Sequence, residues 1–140
     1  MPQKRRPFQL FFFCPTHPNR QAACEICRLA DLAFIEIQSG SAVVPGIWWY
    51  EIRNVLVLNE RRNRITPEDS TQFLTDLEQL SIDIDSHRNG TQIINLSRHH
   101  KLSVYDAAYL ALAKNERLPL ATLDKELRKA ALAAGVPLLS

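Results

Sequence analysis

The chain lacks the features that mark membrane, secreted or fibrous proteins. Its longest N-terminal apolar run, Leu10 to Cys14, falls far short of the ~20 residues that cross a bilayer and is too short for the apolar centre of a secretory signal. Cysteine is scarce: Cys14, Cys24 and Cys27 are the only three. An odd number without a signal argues against a disulfide framework. With 4 Gly and 8 Pro among 140 residues, collagen-like and low-complexity classes are excluded. No internal repeat and no long linker divides the chain. These absences, with a 46% hydrophobic content sufficient for a core, predict one domain over residues 1–140 of a cytoplasmic protein.

Charge of one sign is also missing. The net value is +2, and the excess lies in residues 1–40, which hold five Lys/Arg against three acids; residues 41–140 hold twelve of each. The body therefore has no global field for nucleic acid. Local clusters, Arg61-Arg62-Asn63-Arg64 and Arg98-His99-His100-Lys101, can still hold phosphates, although each alone reads more simply as a solvated helix end.

What is present is an alternation of short apolar runs and amphipathic stretches. Residues 8–14 read as a buried strand stopped by Pro15, and 21–37 as a helix. Ala42-Val43-Val44 is a short buried strand, Pro45-Gly46 a break, and 47–62 a helix carrying Glu51. Thr66-Pro67-Glu68-Asp69 starts a further helix, Thr66 capping and Asp69 answering three residues later. Ile82 to Asp85 alternates as a half-buried strand, and the Asn89-Gly90 break opens a helix running to about His100. The Ser103 helix, a strand at 118–123, the Asp124 helix stopped by Gly135 and a last strand at 136–139 complete the chain. The expected class is α/β, with a mostly parallel sheet covered by helices on both faces and ligands at the strands' carboxyl ends.

Two carboxylates stand at the starts of successive helices, Asp106 in Ser103-Val104-Tyr105-Asp106 and Asp124 after Leu120-Ala121-Thr122-Leu123; a third, Glu51, follows an earlier strand. Each has an ordinary explanation. Asp106 can be half of a capping box with Ser103, Asp124 an N-cap, and Glu51 a polar residue on an amphipathic helix. Their company points elsewhere. Clustered carboxylates repel, and oxygen-only ligand sets select hard cations such as Mg²⁺ or Mn²⁺, which suit phosphodiester hydrolysis.

With these acids in place the sequence resembles the PIN-domain family, and within it the VapC-type toxin ribonucleases of bacterial toxin–antitoxin pairs. The resemblance spans about residues 41–140 and rests on Val44-Pro45-Gly46-Ile47-Trp48 leading to Tyr50-Glu51-Ile52-Arg53-Asn54, on Leu102 to Leu112, and on Leu118 to Asp124. It implies a PIN-like domain acting as a Mg²⁺- or Mn²⁺-dependent endoribonuclease. It also implies an RNA substrate, a homodimer and an antitoxin protein whose tail enters the acidic groove. Glu51, Asp106 and Asp124 match the family's catalytic, metal-binding acids, and Asn54 matches a polar residue near the site. Thr122 is a candidate support for Asp124, though an ordinary strand residue is the simpler reading. Trp48, Trp49 and Tyr50 read as core or dimer contacts before they read as base-stacking groups.

One departure stands out. The family begins with a strand ending in a metal-binding Asp, whereas this chain has Phe13-Cys14-Pro15-Thr16 there and no Asp before Asp31, a poor positional substitute. Residues 1–40 are thus an atypical segment, read either as a divergent or frame-shifted start or as a zinc-binding one through Cys14, His17, Cys24 and Cys27. Loss of one acid leaves two expectations: a ribonuclease of reduced activity, or a catalytically silent PIN-like module that binds a protein partner or RNA.

Overall fold

The computed structural model describes residues 8–10, 35, 37–38 and 40–139. Four strands, β1 (Phe8–Leu10), β2 (Ala42–Pro45), β3 (Ile82–Asp85) and β4 (Leu120–Ala121), pair in the order β3-β2-β1-β4. Every pairing is parallel, with Phe8 opposite Ala42, Gln9 opposite Leu120, and Ala42 opposite Ile82. Among the described residues, the helices with defined bounds are α1 (Ile47–Arg61), α2 (Pro67–Glu78), α3 (Gly90–His100), α4 (Val104–Glu116) and α5 (Lys125–Ala133).

Local chemistry sets most of these boundaries. β2 ends at Pro45 and α1 starts straight after Gly46, its Trp48, Ile52 and Leu56 forming a buried stripe at fourfold spacing. α2 carries the full capping box the sequence predicts: Thr66 Oγ1 accepts the Asp69 N–H at 3.1 Å, and Asp69 Oδ2 accepts the Thr66 N–H at 2.8 Å. Asn89 caps α3, its Oδ1 accepting the Gln92 N–H at 3.0 Å, so Gly90 lies inside the helix rather than breaking it. α3 and α4 end without glycine, on Lys101 and Arg117, both left-handed with φ of 55° and 54°.

Two expected strands are shorter in the structure. β4 covers Leu120–Ala121 rather than 118–123. The N–H of Leu118 closes α4 by bonding to Ala113 O at 3.0 Å, Pro119 has no N–H to donate, and Thr122 turns the chain. The last expected strand, 136–139, is reduced to a parallel bridge between Leu120 and Leu138 with two flanking hydrogen bonds, because Pro137 cannot continue a ladder. Of the expected strand at 8–14, residues 8–10 are observed as β1; 11–14 lie outside the described residues, as does most of the helix expected at 21–37.

α4 organises the core. Ala107, Tyr109, Leu110, Ala111, Leu112 and Ala113 are all buried on it, and the helix lies against β2, β1 and β4. Small residues let it approach the sheet closely, while Leu110, Leu120 and Leu127 fill the interior.

Candidate active site

In an open parallel sheet, ligands sit at the carboxyl ends of strands where the chain order reverses. Here β1 leads to β2 on one side, while β4 lies on the other and leads outward to Leu138. The crevice is therefore between β1 and β4, with the end of β2 beside it. α1 carries Glu51 in its second turn after β2, and Asp124 stands three residues beyond β4.

Glu51 and Asp106 are brought together. Both are half-buried, and Asp106 raises the Glu51 pKa by charge repulsion, in addition to the larger effect of burial. Close to both stands Tyr109, which is fully buried. It is three residues after Asp106 on the same helix, a spacing that places both on one face, and its hydroxyl donates a hydrogen bond to Glu51 Oε2. That bond pulls the Glu51 pKa down, partly opposing burial. The tyrosine in turn is pushed far up, first by burial and then by its bond to Glu51, so its hydroxyl stays a proton donor. Tyr109 was not among the site residues expected from the sequence: its spacing from Asp106 puts both on one helix face but does not separate a bonding tyrosine from a packing one.

Asp106 does not complete a capping box. Ser103 Oγ accepts the Asp106 N–H at 3.0 Å, but the return bond that Asp69 makes in α2 has no counterpart in α4. The Asp106 carboxylate is consequently free of the capping duty that would explain it without a site.

Asp124 is held differently. The hydroxyl of Thr122, a fully buried side chain, accepts the Asp124 N–H at 3.1 Å, and Asp124 Oδ1 accepts the Leu127 N–H at 2.7 Å as the cap of α5. Arg128 Nη1 donates to Thr122 O at 3.2 Å and fastens the same turn. Thr122 is thus more than a strand residue: it fixes the backbone that presents Asp124. Asp124 itself is exposed, and among the described residues no three His, Cys, Asp or Glu side chains form a metal-sized group. The structure joins Glu51 to Asp106 and leaves Asp124 at the rim. Asn54 is exposed on α1, one turn beyond Glu51. Trp48 is core, whereas Trp49 and Tyr50 are exposed, with the Arg53 guanidinium stacked 3.4 Å from the Trp49 ring centre.

A family model for the PIN domain matches residues 26–132. The chain belongs to the PIN-domain family. The match reaches upstream of Ser41, so the family likeness does not begin where the quoted motifs do. This PIN domain is 25% identical over 118 residues to Ribonuclease VapC3 of Pyrobaculum aerophilum, covering 82% of each chain. Its fold is similar to the crystal structure of PAE2754 from Pyrobaculum aerophilum, with a TM-score of 0.60, 21% identity, and 71% of this chain and 73% of that one covered. An α/β PIN fold built on a parallel sheet is established. Among the described residues no helix of the PIN domain is long and apolar enough to cross a membrane.

The donor set of this PIN domain fits a hard divalent cation. Tyr109 occupies one Glu51 oxygen, the Asp106 carboxylate is not spent on a cap, and the repulsion between the acids is what a cation offsets. Mg²⁺ is commonly held by one or two carboxylates, with water and substrate phosphate completing its shell. Asp31 and the paired Cys14, His17, Cys24 and Cys27 lie outside the described residues.

Proposed function

We propose that this chain is a VapC-type toxin: an endoribonuclease that uses Mg²⁺ or Mn²⁺ held by Glu51 and Asp106, with Asp124 contributing from the rim. The observation that carries the reading is the Glu51–Tyr109–Asp106 arrangement beside the β1–β4 crevice. The resemblance to a ribonuclease over 82% of the chain supports the reaction class.

Each side chain has a distinct task. Tyr109, locked in the core and permanently protonated, is a fixed donor that holds Glu51 in one orientation. Asp106 projects from the first turn of α4. Thr122 and the Leu127 N–H hold Asp124 in place, while Asn54 offers an amide to an RNA phosphate or ribose. A bound divalent cation supplies the positive charge that activates water and offsets charge on the leaving oxygen. The absence of an acid in Phe11 to Thr16, directly after β1, lowers cation affinity, so cleavage requires more metal than a four-acid site would.

The working unit is a homodimer in the cytoplasm, inhibited by a small antitoxin. Exposed Trp49, Tyr50, Val57 and Leu58 on α1 supply an apolar face for a second copy. Light scattering tests the dimer, and Tyr50→Arg is expected to shift it toward monomer.

Incubation of RNA with purified protein and Mn²⁺ or Mg²⁺ tests the activity. Cleavage that chelation stops and Asp106→Asn abolishes supports the reading; equal cleavage by the variant overturns the site. The second reading, a silent PIN module that binds a protein partner or RNA, is favoured by the lack of a three-acid group among the described residues. Absence of cleavage at saturating Mn²⁺ would establish it.

A further inference from the structure

A groove of about 880 Å³ runs along α3, from its cap at Asn89 to His100. Thr91, Asn95, His99 and His100 face it from α3, Lys114 from the end of α4, and the end of α5 closes it. No acid lines it. The His99 and His100 rings meet edge to face, 4.6 Å apart at 88°. His100 is held below the usual histidine range, by burial first and then by the His99 and Lys114 charges.

Compensation of the α3 dipole accounts for a basic last turn. The same compensation covers Lys114 in the last turn of α4, but not the amide and hydroxyl side chains facing the same groove. Aromatic rings, Asn and Thr side chains and a lysine are together what recognises unpaired RNA: rings stack on bases, amides bond base edges, and the ammonium holds phosphate. A site for an acidic peptide would have no use for adjacent ring faces. The chain also links the groove to the acids, because His100 leads through left-handed Lys101 and the Ser103 cap into the turn that bears Asp106.

We infer that this groove is a subsite for single-stranded RNA, binding nucleotides of the strand cut beside Asp106, with His99 and His100 stacking on bases and Lys114 holding a backbone phosphate. The inference rests on the ribonuclease reading and adds to it where the substrate lies.

The test uses the full chain carrying His99→Ala, His100→Ala and Lys114→Ala together, with Mn²⁺, on a short oligoribonucleotide spanning only the cut site and on a longer single strand. The expected result is a KM for the longer strand raised roughly tenfold or more, with kcat and the short-oligonucleotide KM unchanged. The salt dependence of binding should flatten by about one phosphate contact, and Lys114→Arg should restore it. An unchanged KM on the longer strand overturns the inference. If the wild type cuts neither RNA, the ribonuclease reading fails, and binding of labelled single-stranded RNA decides the groove separately. A tenfold loss of that binding in the triple variant upholds the subsite. Equal binding, no binding, or displacement of RNA from the groove by polyglutamate overturns it.

Discussion

Replacing Tyr109 by Phe isolates the hydroxyl that organises the acids. The ring is fully buried and Phe fills the same space, so no cavity forms. What is lost among the described residues is the hydrogen bond to the Glu51 carboxylate, a class that contributes about 1.5–3 kcal/mol. Glu51 is only half-buried, so water can reach the abandoned oxygen, which places the loss near the lower end, about 1.5 kcal/mol. Unfolding entropy of about 2.1 cal/mol/K per residue converts this into a Tm about 5 °C lower for a chain of this length. Calorimetry at pH 8 without metal measures it. Because the bond lowers the Glu51 pKa, its removal should also raise that pKa further. The change should be smaller on a Glu51→Gln background, where the partner has no charge, and the double-mutant cycle should show coupling. A Tm within about 1 °C of wild type and no coupling would refute the role given to Tyr109.

Glu51→Gln should alter the pH dependence of stability. The folded Glu51 pKa lies above its ordinary value of 4.5, so wild-type stability is fully present below that value and declines as pH rises through the folded pKa. The variant lacks this decline, and denaturant titrations in metal-free buffer should show its advantage growing with pH. Thr122→Val keeps the shape but leaves the Asp124 N–H without its acceptor; we expect a loss of about 1–2 kcal/mol and weaker Mn²⁺ binding by calorimetry. Arg117→Gly relieves a left-handed residue at the end of α4 and should stabilise by about 0.5–1 kcal/mol in urea unfolding.

Much of the fold was legible because local chemistry and tertiary packing agree in it. Thr66 and Asp69 form the box their spacing announces, and β2, α1 and β3 fall nearly where hydrophobic period and breakers place them. The misses have specific causes. β4 and the last strand are short because Pro119 and Pro137 withhold donors and Thr122 spends its hydroxyl on a turn, competition that apolar content does not reveal. Glu51, Asp106 and Asp124 could be proposed as a set from the sequence, but the bond that holds Glu51 comes from Tyr109, fifty-eight residues away. Nothing local distinguishes a packing tyrosine from a bonding one. Capping misled in the other direction, since Ser103 and Asp106 have the spacing of a box and make only half of one.

The position of β1 has a consequence for biosynthesis. This first-made strand lies between β2 and β4, with Gln9 pairing Leu120, so one wall of the crevice is translated early and the other only near the end. Ladders between such distant segments form slowly, because the intervening chain must be ordered before they are rewarded. A ribosome-bound chain therefore carries Glu51 and Asp106 before β4 pairs with β1. On the ribonuclease reading proposed above, competence for cleavage would arrive only once β4 has been made.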